Sequence, residues 1–279
     1  MPPARALFAT DLDGTLVDRS DGIHPRDREA IARARERGVI VTIATGRLTS
    51  RTHPVARDLG LDAPLVCADG GVVACAATGR VLSRRAIATE HVEGILTAFG
   101  AGDVSSFVFT HGSIHACERG REYHDYVRGW ASDITTHADV ISADAWRGDD
   151  GTVMVVGIGT QETIAGAVAE LEPIAGHLDA LTFGARGVRV VRFVARGTSK
   201  GTGLAHVARG LGLPRERVVA IGDWYNDVPM FAWAGRSFAM PHAPDEVKAS
   251  ATDVLPDGSV ERGAIADALD TWLAELDRD

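Results

Sequence analysis

The sequence predicts an α/β protein, a doubly wound parallel sheet with a smaller α+β domain inserted into it. Three observations lead there. Short β-branched runs alternate with helical patterns through the first eighty or so residues. The same rhythm resumes at Thr198-Ser199-Lys200-Gly201, and the residues between follow another pattern, with neighbouring strands and fewer helices. Strand–helix–strand alternation is the signature of parallel sheets, whereas clustered strands point to a separate α+β layer. The core is therefore expected over 1–82 and 190–279, and the insertion over 83–189.

Ala6-Leu7-Phe8-Ala9-Thr10 is an apolar strand ending in Asp11-Leu12-Asp13-Gly14-Thr15. Pro25 opens a helix over 25–37, and Gly38 stops it. The continuous run 39–44 reads as a strand covered on both faces and ends at Thr45-Gly46-Arg47. A helix is expected to about residue 59, a third strand of the parallel sheet over 65–68, and a hairpin from 72–75 and 81–83. In the insertion, Thr89 caps a helix to residue 99, strands are expected over 105–110, 113–117 and 153–158, and Thr160 caps a helix to 175. Two strands, 180–183 and 188–194, close it. The core then resumes with a helix over 198–211, a buried strand over 218–221 and Gly222-Asp223-Trp224-Tyr225-Asn226-Asp227. Helices over 227–234 and 243–249, a strand over 237–240 and one amphipathic helix over 260–276 complete the chain.

The net charge of −9 disfavours a general binder of nucleic acid or anionic membrane, so an anionic ligand needs local positive charge. Cys67, Cys75 and Cys117 follow no zinc spacing, and the first two are expected as buried free thiols in a reducing, cytoplasmic setting. No signal peptide or membrane-spanning segment is read from the sequence.

In an open α/β sheet the carboxyl ends of parallel strands face one crevice. Asp11 and Asp13, Thr45-Gly46-Arg47, and Asp223, Asn226 and Asp227 all follow such strand ends, and Lys200 starts a helix. Alternation along an extended chain puts Asp11 and Asp13 on one side. Carboxylates from two strands suit a Mg²⁺ ion, a Lys and a Thr hydroxyl suit phosphate oxygens, and a remaining carboxylate can attack phosphorus.

DLDGT, ATGR, SKG and GDxxND, in this order, resemble the four motifs of the haloacid dehalogenase-like phosphatases, and the position of the insertion resembles their Cof-type branch with an α+β (type IIB) cap. That resemblance implies that Asp11 is the nucleophile and forms an aspartyl-phosphate, and that Asp13 is the general acid and base. Thr45 and Lys200 would bind the phosphoryl group. Asp11, the Asp13 carbonyl and Asp223 would hold Mg²⁺, with Asp227 supporting the metal through water or an outer contact. Asn226 would contact phosphate or Lys200, and Gly46, Arg47 and His242 are further candidates for substrate binding. Asp69-Gly70-Gly71 departs from the branch's usual Asn-Gly-Ala, Pro241-His242 from its Gly-Asn, and Trp224-Tyr225 is bulkier than usual.

In the insertion, His111, His115 and His124 match no zinc pattern and read as solvated or core residues. His111, Glu118, Arg119 and Tyr123 are candidate specificity residues; Trp130, Trp146 and Trp233 read as packing. The expected activity is Mg²⁺-dependent hydrolysis of a small phosphorylated metabolite such as a sugar phosphate, by a monomer or dimer that binds neither nucleic acid nor membrane. A phosphomutase of the same architecture and a catalytically silent phosphate-binding module are the alternatives.

Overall fold

A computed structural model describes residues 5–18, 20, 22–148, 151–185 and 187–276. The chain divides into two compact units, one of Met1–Gly46, Thr52–Arg80 and Ser199–Asp279, the other of Arg47–Arg51 and Val81–Thr198. From its start it runs through β1 (Ala6–Thr10), α1 (Pro25–Glu36), β2 (Val39–Ile43), α2 (Thr49–Asp58), β3 (Leu65–Cys67) and β4 (Val72–Ala74). Next come β5 (Val81–Arg84), α3 (Thr89–Ala101), β6 (Ser105–Phe109), β7 (Ile114–Cys117), α4 (His124–Val127) and β8 (Ile134–His137). The second unit ends with β9 (Met154–Gly159), α5 (Gln161–Glu170), β10 (Leu178–Ala185) and β11 (Val188–Ala195). The first unit then resumes with α6 (Lys200–Gly210), β12 (Val218–Gly222), α7 (Val228–Trp233), β13 (Arg236–Ala239) and α8 (Asp245–Ser250). It closes with β14 (Asp253–Val254), α9 (Ser259–Arg262) and α10 (Ala264–Leu276).

The first unit is built on a sheet ordered β14-β13-β12-β1-β2, in which every described pair is parallel. β1 and β12 are buried at every position, as their uninterrupted apolar sequences require when helices cover both faces. Leu7 and Ala9 join Leu204, Val207 and Ala208 of α6 on one face. Phe8 points the other way and meets Trp272 of α10, with ring centroids 6.1 Å apart. The helix expected over 260–276 is two helices. Gly263 breaks it at φ 97°, and a side chain there would lie 2.7 Å from the Asp27 carboxylate. Asp27 uses that same oxygen to accept the Ala266 N–H at 2.8 Å, which seats the start of α10 on α1.

β3 runs parallel to the end of β2, as expected of a third strand, but forms no ladder with it. It meets the end of β2 only through the bridge Ala44↔Val66, and its own ladder is antiparallel, with β4. The tight turn over Ala68-Asp69-Gly70 sends the chain straight back.

In the second unit six strands are ordered β10-β11-β9-β6-β7-β8; the pairs are antiparallel except β7 with β8. Val92, Ile95 and Phe99 of α3 and Ile164 of α5 pack on Val155, Val191 and Phe193 of the sheet. Trp146 is buried in that core and donates its indole N–H to the Val140 carbonyl at 2.6 Å. β8 was not foreseen, because Ile-Thr-Thr-His carries neither a long apolar run nor a clear alternation. The boundary expected at 189/190 falls inside β11, whose ladders with β9 and β10 keep it in the second unit. Cys67 is buried, Cys75 only partly so. Among the described residues no helix is long and apolar enough to cross a membrane.

Candidate active site

Sheet register brings the sequence motifs of the first unit together. Thr10 is level with Ile43 on one side and Ile221 on the other. Asp11 therefore leaves β1 beside the residues that lead from β2 to Thr45 and from β12 to Asp223. The turn after Asp13 needs Gly14 twice over. Its φ is +79°, and a Cβ would sit 2.6 Å from an Asp223 carboxylate oxygen. Lys200 is the first residue of α6, placed by the Ser199 hydroxyl, which accepts the Thr202 N–H at 3.1 Å.

The centre of the site is a buried amine between two carboxylates. Lys200 Nζ donates to Asp11 Oδ1 at 2.5 Å and to Asp227 Oδ1 at 2.6 Å. Burial alone would depress the Lys200 amine, but the charges of Asp11, Asp227 and Asp69 hold it above its ordinary value, so it stays protonated. Burial is also the main reason the Asp11 and Asp227 carboxyls lie above the usual range; Lys200 opposes that rise and the neighbouring carboxylates add to it. Asp227 is fixed on its other oxygen as well. Its Oδ2 accepts the backbone N–H groups of Asp223 and Trp224, each at 2.9 Å. A side chain at Gly222 would fall 2.4 Å from the Asp227 carboxyl carbon, so only glycine leaves room for this arrangement.

Asp11, Asp223 and Asp227 each offer an oxygen within 4.8 Å of the others. Three carboxylates against one ammonium leave negative charge to be balanced, and an all-oxygen donor set fits a hard divalent cation such as Mg²⁺. Both Asp227 oxygens are already engaged by the protein. It is suited to fix the site from behind, which leaves Asp11 and Asp223 as the candidate donors to an ion.

The other side is open. Asp13 is exposed and, with Gly14, Asp223, Met240 and His242, lines a cavity of about 830 Å³ in the first unit. His242 Nε2 lies 3.3 Å from Asp223 Oδ2, and that contact raises the imidazole above its ordinary value. His242, a candidate for substrate binding, thus stands beside Asp223 at this cavity.

Thr45 is fully buried, with its N–H on the Val66 carbonyl at 2.8 Å and its own carbonyl accepting the Asp69 N–H at 2.9 Å. Gly46 lies against the Asp69 carboxylate, which would be 3.3 Å from a Cβ at that position. Arg47 is buried in the segment that clusters with the second unit. Asn226 was expected on phosphate or Lys200. It donates its Nδ2 to Asp69 Oδ1 at 2.8 Å.

Asp69 is the polar residue of this site to which the sequence reading gave no role. It is 2% exposed and sits in a left-handed turn with φ of 47° at Ala68 and 52° at Asp69. Each such non-glycine residue costs about 1–2 kcal/mol. Three residues expected to serve one site, Thr45, Lys200 and Asn226, thus all feel Asp69. The signal that pointed to it was its departure from the Asn-Gly-Ala pattern.

In the second unit, Ser113, His115 and His137 form a chain, with Ser113 Oγ 3.1 Å from His115 Nε2 and His115 Nδ1 3.0 Å from His137 Nε2. Glu118 and Arg119, expected as specificity residues, pair with Arg121 and Asp103. Trp130 packs on Phe109 at 5.8 Å between ring centroids.

The family model for haloacid dehalogenase-like hydrolases matches residues 8–269. The chain is 27% identical to the 5-amino-6-(5-phospho-D-ribitylamino)uracil phosphatase YcsE of Bacillus subtilis, covering 96% of this chain and 95% of that protein. It is 26% identical to the pyridoxal phosphate phosphatase YbhA of Escherichia coli, over 91% and 94% of the two chains. Among solved structures, a haloacid dehalogenase-like hydrolase from Bacteroides thetaiotaomicron superposes with a TM-score of 0.80 at 23% identity, over 95% and 98% of the chains. A subclass IIB sugar phosphatase superposes with a TM-score of 0.76 at 21% identity, over 96% and 98%. These structural likenesses carry the fold.

Proposed function

The chain belongs to the haloacid dehalogenase-like hydrolases, and on that premise we propose that it hydrolyses a small phosphomonoester at the carboxyl end of β1. The observation that carries this reading is the buried Lys200 ammonium held between Asp11 and Asp227, directly behind the first motif. The full-length relatives supply the substrate class, small phosphorylated metabolites.

In this reading an Asp11 carboxylate oxygen attacks phosphorus. The ester P–O bond breaks, and its electron pair stays on the leaving oxygen, which takes a proton from Asp13. Asp13, now a carboxylate, removes a proton from water as the water oxygen attacks the aspartyl-phosphate. The P–O bond to Asp11 breaks and inorganic phosphate leaves. Asp13 is exposed while Asp11 is buried, which suits a group that must exchange protons with water beside one that must not. Lys200 and Thr45 bind the phosphoryl oxygens. Asp11, the Asp13 carbonyl and Asp223 would hold Mg²⁺, which when bound draws charge from the phosphoryl oxygens and keeps Asp11 ionised. A cytoplasmic enzyme that needs neither nucleic acid nor membrane completes the proposal.

Phosphate release from a panel of phosphorylated metabolites tests it. Asp11→Asn is expected to lower kcat by about 10³-fold or more without loss of fold. Turnover equal to wild type in that variant contradicts the reading.

A further inference from the structure

Asp69 joins parts of the site that lie far apart in sequence. Its backbone N–H holds the Thr45 carbonyl, its carboxylate accepts from Asn226, and its charge acts on Lys200. The turn that presents it is fixed from the other side. Gly70, at φ +93°, is so close to α6 that a Cβ would lie 2.1 Å from the Ser199 carbonyl oxygen. Among the described residues only Ala68, Asp69 and Asp103 combine a positive φ with a side chain, and two of the three are consecutive here. A buried acid in a strained turn, locked against the start of the lysine helix, is more than a loop residue.

Charge decides what Asp69 can do to Asn226. An ionised carboxylate only accepts hydrogen bonds, so the amide must turn its Nδ2 side towards Asp69. The amide oxygen is thereby directed elsewhere, and one Nδ2 hydrogen remains for another acceptor. A neutral amide at position 69 would accept either orientation. We propose that Asp69 is a positioning residue, which fixes the Asn226 carboxamide in the orientation that binds the phosphoryl group. The proposal rests on the reading of Asn226 as a phosphate-binding residue.

A double-mutant cycle tests both, with p-nitrophenyl phosphate as the probe substrate and thermal unfolding to verify each variant. Asn226→Ala is expected to lower kcat/KM by about 10-fold, mainly through KM, the range for one charge-assisted hydrogen bond. Asp69→Ala should produce a similar loss with the same KM bias. The double variant should be no worse than the poorer single, because the second change removes nothing further. Asp69→Asn can still accept from Asn226 and should recover part of the activity. It also replaces the alanine in the cycle if Asp69→Ala does not fold, with the same non-additivity at smaller amplitude. Losses that multiply in the double variant overturn the proposal and leave the phosphatase reading intact, as does an Asp69→Ala enzyme with wild-type kcat/KM. Wild-type kcat/KM in Asn226→Ala removes the phosphate-binding role of Asn226 and the proposal with it.

Discussion

Each unit holds a polar cluster, fully buried in the first and half-buried in the second, and the two meet the cost of burial in different ways. In the first unit a charge is compensated by charges. The Lys200, Asp11 and Asp227 side chains are 1%, 6% and 0% exposed, and the amine bridges the two carboxylates. In the second unit a half-buried chain of hydrogen bonds runs from Ser113 through His115 to His137. His115 and His137 face each other across 3.0 Å, so a proton on one nitrogen serves both and a second proton would be repelled. Burial and then His137 keep the His115 imidazole below its ordinary value. The contrast separates function from packing. A half-buried hydrogen-bond chain still shares water, whereas a buried ammonium surrounded by carboxylates is expensive and persists where its field is used.

The difference can be tested by removing one partner from each cluster. Lys200→Met should have the largest effect. It leaves Asp11 and Asp227 buried without a counter-charge, which costs about 3–5 kcal/mol of stability, and it should abolish turnover. Denaturant unfolding measures the first, and a loss under 1 kcal/mol would show that the cluster is far better solvated than its burial implies. The second unit should respond to pH instead. A histidine whose folded value is depressed contributes stability that is complete above its unfolded value of 6.5 and is lost as the pH falls through the folded value. The wild type is therefore expected to lose more stability than His115→Phe as the pH falls below about 6.5. Equal pH dependence in the two proteins contradicts a depressed His115.

Legibility from sequence follows the same division. β1, β2 and β12 are unbroken apolar runs with acidic or polar ends, and that pattern gives both the parallel sheet and Asp11, Thr45 and Asp223. Lys200 was readable because Thr198-Ser199-Lys200-Gly201 opens a helix and carries the SKG motif. What could not be read depends on contacts between distant residues. The Asn226–Asp69 hydrogen bond spans 157 positions, and a carboxylate in a left-handed turn looks like any Asp-Gly loop. β8 escaped because its short polar sequence is a strand only by pairing with β7. The end of the inserted unit was misplaced because β11 continues to Ala195 without a change in composition to mark where the core resumes.

The most direct measurement concerns Asp11 itself. Enzyme quenched in acid during turnover of a phosphomonoester and then reduced with borohydride should carry homoserine at position 11, because an acyl phosphate is reduced where a free carboxylate is not. That conversion is expected at Asp11, dependent on substrate and absent in Asp11→Asn. Phosphate release that continues while peptide mass analysis finds Asp11 unmodified, or finds homoserine at another aspartate, contradicts it.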